Sequence, residues 1–302
     1  IRDGIVRLVG SEMCIRDRHY MTEWTRRVMQ EYPDFNVVGE EWTSNAAAVA
    51  YWQRGKKNHD GYVSYLPSLM DFPLQESMRL ALVTEEGTRL DDGTPAGLMR
   101  LYLALANDFI YADPGALVIF PDNHDMSRIF TQVNEDQDLF RMALAYVLTM
   151  RGVPQIYYGT EILKANPGTT AHGIIRSDFP GGWAGDEKNA FTGEGLSTDE
   201  KEAQEYVRKL LNWRRDKAVI HSGEVTHFRP ENGTYVYFRH DETDSVMVVL
   251  NKNEEAVELD LARFTERLQG FTGATDVVSN ETRALGKTLE LPPRSVQVLE
   301  LK

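Results

Sequence analysis

Four polar side chains follow a short apolar run in the middle of the chain. Residues 118–120 are typical of a buried strand, and Asp122, Asn123, His124 and Asp125 come just after them. Ionisable groups crowded at the end of such a strand are costly to bury unless they are paired or take part in chemistry. In a parallel α/β barrel, this end of the strands is where active sites lie.

A second cluster has the same form nearer the start of the chain. Residues 35–38 are largely apolar, and Gly39, Glu40, Glu41 and Trp42 follow them. Two clusters of carboxylates at strand ends predict acid/base chemistry on a neutral substrate. Side chains alternate along a strand, so the two glutamates are expected to point in opposite directions.

The amino-acid composition and net charge limit the classes of function that this chain can have. The chain has 302 residues, 42% hydrophobic and 26% charged, with 46 acidic and 33 basic side chains and a net charge of −13. This acidic balance argues against a nucleic-acid partner, whose phosphates favour a basic surface. No run approaches the ~18 apolar residues of a membrane span, and no signal peptide is visible.

The N-terminal segment, residues 1–18, has a sequence unlike the rest. It shows no periodicity that connects to the following residues, and it resembles translated sequencing-adapter sequence. We therefore expect residues 1–18 to be non-native, including the single cysteine, Cys14. One cysteine excludes an intrachain disulfide, and no histidine pair has the spacing of a zinc site, so no metal ligands are predicted.

Helices and strands alternate through the first two thirds of the chain. Strands are predicted near residues 35, 66, 117 and 153, with helices between them that include residues 45–52, 73–83, 96–111, 136–150 and 202–215. This alternation of strands and helices is typical of βα units around a parallel sheet, and four strands make half of an eight-stranded barrel. A long loop, roughly residues 162–197, contains Arg176, and loops of that length are usually functional or disordered.

The pattern changes after about residue 217. Seven short runs of strand length, separated by turn residues, predict an antiparallel sandwich. The predicted fold is the C-terminal half of a (β/α)8 TIM barrel followed by an antiparallel β-sandwich. The predicted domains are residues 1–18 (non-native), 19–217 (half barrel) and 218–302 (sandwich).

Three motifs together resemble the α-amylase family of glycoside hydrolases. They are residues 38–42, residues 120–125 and residues 152–161, in the order and at the strands where that family carries its signatures. The likeness is greatest to neopullulanases and cyclomaltodextrinases and covers residues 19–302. It implies a retaining mechanism on α-glucosidic bonds, with two carboxylates flanking the scissile bond and an oxocarbenium-like transition state.

The resemblance also implies roles for single residues. Glu40 follows the glycine and is the expected general acid, with partial desolvation raising its proton affinity, and Glu41 is the alternative. Asp125 matches the carboxylate that binds sugar hydroxyls and stabilises the distorted ring. The predicted substrate-binding residues are His124, Trp42, Asn123, Arg128 and Arg176, of which Asn123 and Arg128 are expected to orient the acidic cluster.

Several of these residues have a structural alternative. Asp122 is expected to cap a helix rather than to act on substrate. Trp42 either stacks on a sugar or only packs, and Arg176 either reaches the substrate or stabilises its loop.

The family's nucleophile is an Asp in a Gly-x-Arg-x-Asp motif about thirty residues before the acid. That window falls in the suspected non-native segment, where Asp17 is the nearest candidate and lacks the motif's spacing. We expect the full-length parent to be a hydrolase of maltooligosaccharides, cyclodextrins or pullulan, and this polypeptide to be an inactive fragment. The alternatives are a transglycosylase or isomerase of the family, and a non-catalytic glycan-binding or scaffold protein.

Partners and cofactors follow by analogy with the family. The expected partner is an α-glucan oligosaccharide, and the parent is a candidate homodimer because relatives often dimerise through an N-terminal domain. The sequence assigns no cofactor, although the parent is a candidate for Ca²⁺ binding through ligands that lie largely in the other half of the barrel. A periplasmic or secreted location is favoured over a cytoplasmic one.

Overall fold

A computed structural model of the chain describes residues 11–302 as helices and short strands followed by a strand-rich region. The helices are α1 (Ser11–Glu31), α2 (Ala46–Tyr51), α3 (Phe72–Val83), α4 (Met99–Leu105), α5 (Ile129–Gln132), α6 (Gln137–Thr149), α7 (His172–Ile175), α8 (Thr198–Arg215), α9 (Ala218–Ser222) and α10 (Thr265–Leu268). Single 3₁₀ turns lie at Asp108–Ile110, Pro114–Ala116, Thr160–Ile162 and Leu261–Phe264.

The strands are short in the first two thirds and longer afterwards. They are β1 (Val38–Gly39), β2 (Ser68–Leu69), β3 (Val118–Ile119), β4 (Val153–Pro154), β5 (Glu224–His227), β6 (Thr234–His240), β7 (Ser245–Asn251), β8 (Val257–Asp260), β9 (Gly273–Asp276), β10 (Thr282–Ala284), β11 (Thr288–Leu291) and β12 (Ser295–Leu301).

The backbone divides into two compact units. The first unit contains Leu103–Phe120, Gly152–Gln155 and the described part of Ile1–Ser77, and the second contains Met78–Tyr102, Pro121–Arg151 and Ile156–Lys302. The boundaries of these units differ from the predicted domain boundaries after residues 18 and 217. The predicted domain boundaries remain predictions.

Four parallel strands form the sheet of the first unit, in chain order. β1 pairs with β2, an isolated bridge joins Met70 to Val118, and β3 pairs with β4. Gly152 allows the turn into β4, because its φ is +102° and a Cβ there would lie 2.7 Å from the Leu117 carbonyl oxygen. The predicted half barrel of four parallel strands is confirmed.

An antiparallel sandwich occupies the C-terminal part of the second unit. Its six-stranded sheet has the order β10-β9-β12-β7-β6-β5, and β11 pairs with β8 in a two-stranded sheet. Side chains from both sheets share one core, including Phe238 and Met247 from the larger sheet and Leu259 and Leu289 from the smaller one. Such a shared core between facing sheets is what defines a sandwich, so this part of the predicted fold is also confirmed.

The predicted non-native segment lies only partly within the described residues. Residues 1–10 fall outside them, whereas Ser11–Glu31 forms one helix that continues through the junction at residue 18. That residues 1–18 are non-native stays a prediction. Within residues 11–302, every helix is too short or too polar to cross a membrane.

Candidate functional site

Asp122 is the most deeply buried carboxylate of the polar cluster after β3. One carboxylate oxygen accepts the backbone N–H of Ile129 at 2.8 Å, and the other accepts the Thr160 hydroxyl at 2.9 Å. Ile129 begins α5, so Asp122 satisfies a free donor at a helix N-terminus, as expected for a structural aspartate. Burial raises its pKa to about 6, against the lowering effect of these hydrogen bonds and of the Arg128 charge.

Asp125 lies between two basic side chains in the second unit. Arg176 Nη2 forms an ion pair with Asp125 Oδ1, and His124 Nε2 lies 3.2 Å from Oδ2. The Asn123 side-chain oxygen accepts the Asp125 backbone N–H at 2.8 Å, which fixes the turn that presents the carboxylate. The Asp125 side chain remains 26% exposed, so an anchored carboxylate is still accessible to a ligand.

Arg176 ties the long loop to this carboxylate. Its Nε donates to the His124 carbonyl oxygen at 2.9 Å, and its Nη2 lies 2.9 Å from His172 Nδ1. The Tyr158 hydroxyl donates to the Arg176 carbonyl oxygen at 2.9 Å, and this hydrogen bond fixes the loop backbone at Arg176. The guanidinium that stabilises the loop thus also orients Asp125, and direct contact between Arg176 and substrate stays a prediction.

Arg128 and Asn123 are buried and do not contact bulk solvent. Arg128 donates to the carbonyl oxygens of Ile175 at 2.9 Å and Tyr158 at 2.7 Å, and its guanidinium stacks 4.1 Å from the centre of the Tyr157 ring. Burial lowers the pKa of Arg128, partly offset by the nearby Asp122 charge. Both side chains are therefore enclosed within the protein, and their predicted roles in substrate binding and in orienting the acidic cluster stay predictions.

Glu40 and Glu41 follow β1 in the first unit and differ in environment. Glu40 is exposed and Glu41 is buried, so the two side chains point in different directions, as strand alternation predicts. The partial desolvation expected for Glu40 stays a prediction. Glu40 remains the predicted general acid.

Trp42 has one face packed and part of its ring open. Its ring stacks on Phe72 with centroids 4.8 Å apart and an interplanar angle of 21°, while the residue remains 50% exposed. One face of the Trp42 ring packs against Phe72 and the rest is open to a ligand, so the geometry is compatible with packing alone and with stacking on a sugar. Glu40 and Trp42 lie in the first unit, and the Asp125 cluster lies in the second.

The positions about thirty residues before Glu40, where the family carries its nucleophile, lie largely outside the described residues. Asp17 lies within α1 and not at a strand end. Residues 87–91 happen to match the letters Gly-x-Arg-x-Asp, a match that the sequence reading missed. They form an exposed turn after α3, where Arg89 donates to the Gly93 carbonyl oxygen at 2.6 Å, and no strand leads into Asp91.

No group of three or more His, Cys, Asp or Glu side chains in residues 11–302 is arranged to hold an ion. The calcium expected by analogy for the parent has no such donor set in this part of the chain.

Comparison with known proteins settles the family. The model of the α-amylase catalytic domain matches residues 11–244, and that of the cyclo-malto-dextrinase C-terminal domain matches residues 225–300. The chain belongs to the α-amylase family. The resemblance read from the three motifs is therefore confirmed.

Individual relatives are longer than this chain. A maltogenic alpha-amylase of Bacillus acidopullulyticus is 25% identical over 298 residues, covering 93% of this chain and 42% of the relative. A cyclomaltodextrin glucanotransferase of Klebsiella oxytoca is 26% identical over 207 residues, covering 62% of this chain and 29% of the relative. The chain thus spans less than half the length of these two proteins.

Solved structures show the same fold. An alpha-amylase from Geobacillus thermoleovorans complexed with acarbose matches with a TM-score of 0.71 and 20% identity, covering 94% of this chain and 57% of that one. This likeness supports the half barrel and sandwich described above.

Proposed function

We propose that this chain contributes the acid and the ring-stabilising carboxylate of a retaining enzyme that cleaves α-glucosidic bonds. The observation that carries the proposal is Asp125, which lies at the carboxyl end of β3, oriented by Arg176 and His124 and still accessible. A carboxylate held in this way can accept hydrogen bonds from two neighbouring sugar hydroxyls without moving, so little of the binding energy is lost to ordering it.

The other residues take complementary roles in this proposal. Glu40 protonates the glycosidic oxygen, and its exposed position keeps it within reach of a ligand. His124 has a partly exposed ring and donates to a sugar hydroxyl next to Asp125. Trp42 offers the open part of its ring to the apolar face of a glucose unit.

The substrate class follows from the names of several relatives. They include maltogenic alpha-amylase, cyclomaltodextrin glucanotransferase and a cyclic α-maltosyl-(1→6)-maltose hydrolase. We therefore propose maltooligosaccharides, cyclodextrins or pullulan as substrates of the parent protein. Transglycosylation is the second candidate, since glucanotransferases are among the relatives, and product analysis with water or sugar acceptors separates the two.

The 302-residue polypeptide itself is proposed to be inactive. No described residue matches the family's nucleophile at a strand end, and loss of one member of a catalytic carboxylate set costs several orders of magnitude in rate. The purified chain should release no reducing sugar from maltoheptaose above the background of an Asp125→Asn variant. Turnover by the wild-type chain that the variant lacks would contradict this.

Glycan binding tests the proposed substrate class without requiring turnover. Calorimetric titration of the chain with maltoheptaose and with cellohexaose compares α- and β-linked glucans of similar composition. We expect binding of the α-linked ligand only. Equal affinity for both, or binding of the β-linked ligand alone, would refute the proposed substrate class.

A further inference from the structure

Four consecutive carbonyl oxygens in the long loop accept hydrogen bonds from side chains. They belong to residues 175–178 of the second unit, and the donors are Arg128, Tyr158 and Lys164. A loop carbonyl group can equally bind water, so four in a row that bind protein side chains indicate a segment held in one conformation. We call this arrangement the carbonyl clamp. Lys164 has no role in the site described so far.

Lys164 binds the C-terminal end of this segment. Its Nζ donates to the Ser177 carbonyl oxygen at 2.5 Å, to the Ser177 hydroxyl at 2.9 Å and to the Asp178 carbonyl oxygen. These three acceptors match the three N–H groups of an ammonium. The Lys164 Nζ also lies 5.5 Å from the centre of the Tyr158 ring. Lys164 therefore ties the start of the loop to residues 13 and 14 positions later.

Tyr158 and Arg128 bind the rest of the segment. The Tyr158 hydroxyl donates to the carbonyl oxygens of Arg176 at 2.9 Å and Ser177 at 3.1 Å. Arg128 Nε donates to the Ile175 carbonyl oxygen at 2.9 Å. The peptide groups on both sides of the Arg176 Cα are thus fixed, and with them the point from which the Arg176 side chain starts.

Glycine at position 159 leaves room for the Lys164 stem. A Cβ at Gly159 would lie 2.9 Å from the Lys164 Cγ, and the φ of Gly159 is +82°. Partial burial, followed by the Arg128 charge, lowers the pKa of the Lys164 ammonium. Burying a cation is unfavourable unless it is hydrogen-bonded, so the carbonyl oxygens of residues 177 and 178 offset that cost. An apolar side chain of the same length would avoid the cost but would leave these oxygens without this donor.

The ion pair between Arg176 and Asp125 needs such a fixed starting point. The Arg176 side chain is 41% exposed and that of Asp125 is 26% exposed. An ion pair between side chains in contact with water changes an equilibrium constant by at most about fivefold. Fixing the backbone of one flexible residue costs about five- to thirtyfold. The pair is therefore too weak both to order the loop and to orient the carboxylate, and the carbonyl clamp supplies the order beforehand.

We propose that Lys164 is a positioning residue for Asp125, acting with the Tyr158 hydroxyl through the fixed backbone of Arg176. The inference rests on the proposed function, in which Asp125 binds sugar hydroxyls, and it adds the groups that set the orientation of this carboxylate before a sugar arrives. The guanidinium of Arg176 carries the effect from the carbonyl clamp to Asp125 Oδ1. A carboxylate oriented in advance binds a sugar with less loss of conformational freedom, so the affinity is higher.

A double-mutant cycle on the intact 302-residue chain tests the proposal, with the affinity for maltoheptaose measured by calorimetry. Lys164→Met keeps an unbranched stem and removes the ammonium, and it should weaken binding roughly fivefold. Arg176→Met should weaken binding roughly tenfold, because Asp125 then keeps its charge but loses its orientation. In the Arg176→Met background, Lys164→Met should change the affinity less than about twofold, because the residue through which Lys164 acts is gone.

Two more variants accompany the cycle. Lys188→Met is the matched control, because it makes the same change of charge in the same loop at a lysine that pairs with Glu200. Its affinity should equal that of the wild type. Tyr158→Phe removes only a hydroxyl from the carbonyl clamp, and it should also weaken binding in the wild-type background and not in the Arg176→Met background. This variant keeps the test decisive if Lys164→Met does not fold.

Each outcome decides the proposal. Wild-type affinity in a folded Lys164→Met variant, or in Tyr158→Phe where Lys164→Met does not fold, would overturn it and leave the proposed function intact. Equal losses in the wild-type and Arg176→Met backgrounds would overturn it too, because the substitutions would then act on the fold in general. Complete loss of binding in Arg176→Met would show that Arg176 binds the sugar itself, which also contradicts the proposal. No binding of maltoheptaose by the wild-type chain would overturn the proposed function and the positioning role together.

Discussion

Replacing Asp122 by Asn should change how the stability of this protein depends on pH. Asp122 is fully buried and has its pKa raised from 3.8 to about 6, with desolvation as the largest cause. Asn keeps the shape and can still accept the Ile129 N–H, but it carries no charge at any pH. The difference between the two proteins in free energy of unfolding should therefore vary with pH.

The sign and the size follow from linkage. The folded protein binds the Asp122 proton more tightly than the unfolded chain does, so protonation stabilises the fold. That contribution is fully present below about pH 3.8 and is lost as the pH rises through about 6. A shift of about two units at ~1.4 kcal/mol per unit amounts to ~3 kcal/mol in total, of which ~2 kcal/mol falls between pH 4.5 and 7.5.

Urea unfolding followed by tryptophan fluorescence at pH 4.5 and pH 7.5 measures this difference. Relative to the wild type, Asp122→Asn should gain ~2 kcal/mol on going from the lower to the higher pH. Asp216→Asn makes the same charge change on an exposed side chain and should show no comparable gain. A free energy of unfolding, taken as variant minus wild type, that is equal at the two pH values, or that is larger at pH 4.5 than at pH 7.5, would refute the reasoning about burial.

Two further substitutions test how local structure is held. Gly152→Ala should lower the free energy of unfolding by more than ~2 kcal/mol in a urea titration, because the new methyl group meets the Leu117 carbonyl oxygen. Gly61 also has a positive φ, +77°, but open space around it, so Gly61→Ala should cost only ~1 kcal/mol in the same titration. Equal losses would show that the close approach does not matter. Ser197→Ala should cost ~1 kcal/mol by removing the capping box that Ser197 shares with Glu200 at the start of α8, and a midpoint equal to that of the wild type would contradict this.

The periodic parts of the sequence predicted the fold well. The helix over residues 45–52 was expected from its composition, and the structure begins α2 directly after the capping residue Asn45. The strand expected at residues 35–38 is shorter, because Phe35 is exposed and only Val38–Gly39 pairs with a neighbour. Strand length depends on pairing partners, which an apolar run does not reveal.

Two other elements show the same limit. The helix predicted over residues 96–111 is broken into α4 and a 3₁₀ turn, and an asparagine at position 107 precedes that turn. The strand β10 was missed, since Thr282–Ala284 carries no apolar alternation and forms only by pairing with β9. Both outcomes are decided by tertiary contacts that local propensity does not encode.

Candidate residues at strand ends could be read from the sequence, but their partners could not. Asp125 was visible because it follows a buried strand within a motif. Its ion pair with Arg176 spans 51 positions, so no spacing rule connects the two residues. The burial of Arg128 was equally hidden, because an arginine in a loop is ordinarily exposed.

The central claim is that Asp125 is a sugar-binding carboxylate of this chain. Calorimetric titration of the 302-residue chain and of its Asp125→Asn variant with maltoheptaose tests this claim most directly, with Asp91→Asn as the control for the same change on an exposed turn. The account predicts at least roughly tenfold weaker binding for Asp125→Asn, because hydrogen bonds to a charged acceptor are worth about 1.5–3 kcal/mol, and unchanged binding for Asp91→Asn. Wild-type affinity in the Asp125→Asn variant would contradict it.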